Sequence, residues 1–267
     1  MDKYIKHTKP IHNSWELKRA IKRGKYDAVV AGSDQIWRKV YIERYGIGTF
    51  FLDFLSISFT GKKIIYGASF GVDYEEYTQA DIDIIKPFYS NLDLVTVRES
   101  SGLELLQKYQ LTNPQAGVVL DPTLLLDKED YIKVVEDSNT TPSPGNMFCY
   151  ILDMTEEKRE MINQISNDKG LTPFEWSLDT QGSVEQWLRS FMDAEYIITD
   201  SYHGMLFSII FNKPFKVIRN QQRGNTRFDE VYNFLGNTDN TLDVESASKQ
   251  LTTLRENSIS LLNLSLK

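Results

Sequence analysis

The chain has 267 residues, 41% of them hydrophobic and 25% charged, a balance that supports one large or two ordinary soluble globular domains. A formal net charge of −7 and a pI near 5.1 argue against nucleic acid or an anionic membrane as the main partner, since both reward a basic face. One cysteine, Cys149, excludes an intrachain disulfide, and with three histidines it cannot build a Cys/His zinc site of the usual kind; no metal or cofactor is expected.

The opening MDKYIKHTKPIHNSW lacks the apolar core of a signal peptide, and the richest apolar run, 49–59, is broken by Asp53. Cytoplasm is the expected compartment, with peripheral attachment at the inner face of the membrane left open. Residues 15–23 form a short basic helix ending at Gly24. A strand over 26–31, YDAVVA, runs into Gly32-Ser33-Asp34-Gln35, which is either a ligand loop at a strand's carboxyl end or an ordinary turn in which Asp34 satisfies its own backbone. Another strand, 63–68, leads into Ser69-Phe70-Gly71, and a helix follows from Glu75 or Gln79 to Tyr89. The strand 94–97 delivers Arg98 to its end, before a helix opened by Ser101 with Glu104 as a capping box. Arg98 either faces a ligand or pairs with Glu99 or Glu104.

A fourth strand, 117–120, precedes Asp121-Pro122-Thr123, and SNTTPSPGN (138–146) reads as an interdomain linker. The expected organisation is an N-terminal domain over 1–137, a C-terminal domain over 147–242, and a helix over 243–267 packing back on the body. In the second domain a strand at 147–152 is followed by a helix from Thr155 to about Asn167, a weak strand near 173–177, and a helix from Ser183, boxed by Gln186, to about Phe191. The stretch 194–218 then holds a complete buried strand–helix–strand unit. Tyr196, Ile197 and Ile198 end at the capping trio Thr199-Asp200-Ser201, and a helix apolar nearly all round stops at Asn212-Lys213-Pro214 before the strand 215–218.

His203 and Gly204 fall where that strand meets the helix's amino end, the crevice in which open α/β sheets bind ligands, and where free N–H groups and the helix dipole favour a phosphate or carboxylate. The plainer alternative is that His203 caps a loop and Gly204 relieves crowding. Beyond it, Lys216, Arg219, Arg223 and Arg227 follow one another with no acidic residue between, as an anion clamp or as a solvated basic loop. Val244, Ala247, Leu251 and Leu254 mark an amphipathic C-terminal helix, its stripe weakening at Ser258 before Leu261.

The strand-ending loops Gly32-Ser33-Asp34, Gly67-Ala68-Ser69-Phe70-Gly71, Val97-Arg98-Glu99, Leu120-Asp121-Pro122-Thr123 and Thr199-Asp200-Ser201-Tyr202-His203-Gly204, in that order, resemble the polysaccharide pyruvyl transferase family. AGSDQIW (31–37) and TDSYHG (199–204) weigh most. The resemblance implies an α/β protein of two Rossmann-like domains in a glycosyltransferase-B-like arrangement with the active site in the cleft. It also implies transfer of the enolpyruvyl unit of phosphoenolpyruvate to sugar hydroxyls, forming a pyruvate ketal on a cell-surface polysaccharide or its lipid-linked precursor. On that reading His203 is the acid or phosphate donor and Arg98 holds phosphate or carboxylate. Ser33, Asp34, Ser201, Tyr202 and Gly204 line the substrate, and Arg219, Arg223 or Arg227 replaces the arginine that many members carry where this chain has Ser201.

Members of the family usually begin with a further βα unit, so the N-terminal domain is expected to be incomplete and to self-associate into a homo-oligomer through 26–30, 63–67 or 49–59. A nucleotide-sugar glycosyltransferase on the same fold and an inactive binding homologue are the competing readings. No Walker loop or dinucleotide fingerprint is present.

Overall fold

Short apolar runs alternating with helices assort into two four-stranded, all-parallel sheets, and the chain divides into two units, Met1–Val119 with Ile259–Lys267, and Leu120–Ser258. The computed structural model describes residues 3–56, 58–176, 182–219, 226–235 and 244–267, with backbone alone for 226, 227 and 244–249. Among these, no helix is long and apolar enough to cross a membrane. The architecture is the expected α/β one with a Rossmann-like sheet in each unit.

In the first unit the order of elements is α1 (Ser14–Gly24), β1 (Ala28–Ala31), α2 (Lys39–Ile42), β2 (Lys62–Ala68), α3 (Gln79–Tyr89), β3 (Leu94–Val97), α4 (Ser100–Lys108) and β4 (Gly117–Val118), with sheet order β1-β2-β3-β4. Asn13 caps α1 by accepting from the Glu16 N–H, and Leu17 and Ile21 turn inward to the core. Thr78 and Asp81 form the capping box of α3. The box expected at Ser101 and Glu104 does not form: the N-cap of α4 lies two residues earlier, at Glu99, so Ser101 already lies inside the helix. Trp37 stacks on Phe51 with centroids 4.9 Å apart, and the Tyr109 hydroxyl accepts from the Glu76 and Tyr77 N–H groups. Because β2 is paired on both sides, and Phe51, Leu52 and Phe54 are buried, two of the three segments expected to self-associate are covered within the chain. β1 remains a sheet edge among the described residues, with Val30 49% exposed.

The second unit continues with α5 (Lys128–Glu136), β5 (Met147–Tyr150), α6 (Glu156–Lys169), β6 (Pro173–Glu175), α7 (Val184–Asp193), β7 (Tyr196–Thr199), α8 (Tyr202–Ile210), β8 (Phe215–Val217), α9 (Thr226–Phe234) and, through Ser258, α10 (Val244–Leu266), with sheet order β6-β5-β7-β8. α5 is an element the sequence reading passed over, and it moves the boundary. Its Val135 is buried and Tyr131, Ile132 and Val134 pack on the second core, so the unit begins at Leu120, and 138–146 is a surface connection inside it rather than an interdomain linker. Part of that connection is held down by Gln186, whose amide exchanges hydrogen bonds with the backbone of Thr141 instead of boxing α7; Ser183 alone caps that helix. α8 is buried at eight of its nine residues and stops at the predicted Asn212-Lys213-Pro214, where Asn212 takes the left-handed conformation (φ 53°). In α10, Leu251 and Leu254 pack on the second core and the Ser258 hydroxyl accepts from the Leu120 N–H, so the weak place in the apolar stripe is a polar anchor.

Candidate active site

Every strand in a parallel sheet points its carboxyl end the same way, so the loops after β1, β2 and β3 gather at one end of the first sheet, and those after β5 and β7 at one end of the second. At the second sheet's end, Ser201 is the N-cap of α8: its hydroxyl accepts from the Gly204 N–H, and its own N–H donates to the Thr199 hydroxyl, which donates to the Tyr150 carbonyl. A Cβ on Gly204 would lie 2.1 Å from Thr199 Oγ1, so this glycine lets the helix close onto the strand. Tyr202 is 6% exposed, inserted among the core aromatics with Phe228 at 6.0 Å. The three residues of this motif expected to line substrate, Ser201, Tyr202 and Gly204, are therefore buried or capping groups. His203 is the member that stays open, with its side chain 35% exposed.

His203 Nε2 stands 3.9 Å from Asp121 Oδ2, whose side chain is 1% exposed. Asp121 is locked in place as the N-cap of the single turn Pro122–Leu125, accepting from the N–H (3.0 Å) and hydroxyl (2.7 Å) of Thr123. Protonation of the imidazole turns the contact into an ion pair. Asp121 was legible as a strand-ending residue but was given no role, and the Asp-Pro-Thr turn that presents it is the signal for one. At the end of β7, Asp200 is fully buried and receives the Leu152 and Asp153 N–H groups and Lys158 Nζ at 2.7 Å, tying the loop after β5 to the end of β7.

At the first sheet's end, the loop 32–35 folds over the strand termini. Gly32 passes so close to β2 that a Cβ would lie 2.1 Å from the Tyr66 carbonyl oxygen, and the Asp34 carbonyl accepts from the Ser69 N–H. Ser33 is half-buried, while the Asp34 side chain is 55% exposed and accepts a 2.8 Å hydrogen bond from Arg98. Asp34 is thus a partner of Arg98 that the sequence reading did not name. The Arg98 side chain is 1% exposed, so it orients Asp34 from beneath rather than presenting a free guanidinium.

The polysaccharide pyruvyl transferase family model matches residues 1–222 of this chain, and so encloses every one of these loops. The chain belongs to that family. No curated protein sequence matches it. Membership of the polysaccharide pyruvyl transferases indicates pyruvyl transfer in polysaccharide synthesis as the activity of the fold, with a sugar or polysaccharide as acceptor. Of the basic residues offered as a pyruvyl transferase's anion clamp, Arg219 is ion-paired with Asp229 on α9, a partner that the sequence reading did not foresee. Arg223 lies outside the described residues, as does the side chain of Arg227, whose backbone belongs to α9.

Proposed function

We propose that the chain transfers the enolpyruvyl unit of phosphoenolpyruvate to sugar hydroxyls, closing a pyruvate ketal on a cell-surface polysaccharide or its lipid-linked precursor in the cytoplasm. The observation that carries the reading is the solvent-open His203 backed by buried Asp121, on a chain of this family. Protonated His203 gives its proton to the CH₂ carbon of the enol phosphate, leaving an oxocarbenium-like centre at the neighbouring carbon. One sugar hydroxyl adds there and releases its proton. A second hydroxyl displaces phosphate and completes the ketal, and the positive end of α8 offers the departing anion a favourable field. Asp121 balances the imidazolium before transfer.

The test is turnover of phosphoenolpyruvate with a panel of sugar acceptors, following phosphate release and the new ketal methyl by NMR. His203→Gln keeps the fold but cannot deliver a proton near neutral pH, and should lose about 10²–10⁴ in rate. Near wild-type turnover in that variant removes His203 from the chemistry. Release of a nucleoside diphosphate from sugar nucleotides, with phosphoenolpyruvate untouched, would replace the reading with glycosyl transfer; binding of either without turnover would leave a binding homologue.

A further inference from the structure

The whole-chain charge conceals a strong asymmetry. The first 25 residues carry eight Lys or Arg against two Asp or Glu, a local charge of +6 that leaves −13 on the rest. Much of this charge lies on α1, whose Leu17 and Ile21 face the core while Lys18, Arg19, Lys22 and Arg23 are exposed. Trp15, at the start of the helix, is 65% exposed, with the Arg19 guanidinium 5.1 Å from its ring centroid. Ile5 is 61% exposed and Tyr26 45%.

Between α1 and the chain around 54–61 lies a groove of about 650 Å³, lined by Lys18, Lys22 and Lys25 together with Ile21, Phe54 and Phe59. Asp27 is the carboxylate among its lining residues, and Glu16 is turned to the Asn13 side chain and the His12 N–H. Asp27 and Gly61 line the groove immediately before β1 and β2 begin, so it opens at the amino ends of the strands, away from the carboxyl ends that carry Asp34 and Arg98.

We propose that α1 and this groove form a docking surface for an anionic phospholipid bilayer. The lysines meet lipid phosphates, Trp15 and Ile5 enter the headgroup boundary, and the groove takes up a headgroup or the start of an acyl chain. A nucleic acid would satisfy the lysines but gives an exposed aliphatic such as Ile5 nothing to bury against. Docking through the amino ends leaves the opposite end of the sheet open. The proposal does not depend on the transferase reading, because its readout is binding.

The test is sedimentation of the full chain with phosphatidylcholine vesicles made with and without phosphatidylglycerol. The chain should pellet only with the phosphatidylglycerol vesicles, and less so as salt is added. Each basic residue near an anionic surface is worth about fivefold in affinity, so Lys18→Gln/Lys22→Gln should weaken binding about 25-fold, with circular dichroism confirming the fold. Trp15→Ala should weaken it without changing the salt dependence. No pelleting at low salt, or equal binding by the double variant, overturns the proposal. Binding of single-stranded RNA governed by Lys18 and Lys22, with the vesicles left in the supernatant, also overturns it.

Discussion

Gly204→Ala probes whether the glycine of the histidine motif serves a ligand or the fold. Alanine is the better helix former, and in an unobstructed helix it would stabilise by about 0.5–1 kcal/mol. Here the new methyl would sit 2.1 Å from Thr199 Oγ1, 2.9 Å from its Cβ and 3.1 Å from its Cγ2. Thr199 has no exposed surface and cannot step aside without breaking its bonds to the Tyr150 carbonyl and the Ser201 N–H. Overpacking of about 1–3 kcal/mol and the weakening of two hydrogen bonds at about 1 kcal/mol each outweigh the propensity gain, for a net loss of about 2–4 kcal/mol. Urea unfolding reads this directly, and Trp187, whose ring centroid lies 4.8 Å from those of Phe191 and Phe207, reports on the core involved. In a Thr199→Ala background the same substitution should cost clearly less, because Oγ1 and Cγ2 are gone and only the Cβ, 2.9 Å away, still has to be cleared. A Gly204→Ala protein as stable as wild type, or more so, would refute the account and return Gly204 to the ligand.

Three further outcomes follow from the same geometry. Burial pushes the Asp81 carboxyl upward, but the bonds from Lys39 Nζ and from the Thr78 N–H and hydroxyl outweigh it and hold the group below the usual carboxylate range. Its stabilisation is therefore present above the unfolded value of about 4 and lost as pH falls through the folded one, so the stability gap to Asp81→Asn should close in acid; a pH-independent gap refutes this. Burial, with a smaller push from Glu175, raises the Cys149 thiol to about 12. The native protein should resist a thiol reagent in mildly alkaline buffer and react only when unfolded, and stoichiometric labelling of the folded chain would contradict the burial. Arg98→Ala should destabilise the first unit by about 2–3 kcal/mol in urea unfolding, less than for a fully enclosed pair because Asp34 is 55% exposed, and Arg98→Lys should recover only part because an ammonium lacks the guanidinium fork. Wild-type stability in Arg98→Ala would show that the pair does not hold the loop.

What could be read directly from the residues was whatever is decided within a few positions. The strand at 196–199, the Ser201 cap, the buried helix and its stop at Asn212-Lys213-Pro214 all follow from local capping and periodicity. The loops at the strand ends were legible for the same reason, and with them His203. Partners were not. Arg98 lies beside Glu99 yet bonds Asp34, because parallel pairing brings the ends of β1 and β3 to opposite sides of β2 and the intervening loop crosses between them. Asp121 reaches His203 from a different loop, and no spacing rule links the two. α5 was missed because its box uses Asp130, a shorter carboxylate than the Glu or Gln the pattern expects, and with α5 went the boundary between the units. A Pro- and Ser-rich run marks where chain lies at the surface, whereas a unit ends where side chains stop sharing a core, and that depends on contacts between residues far apart in sequence.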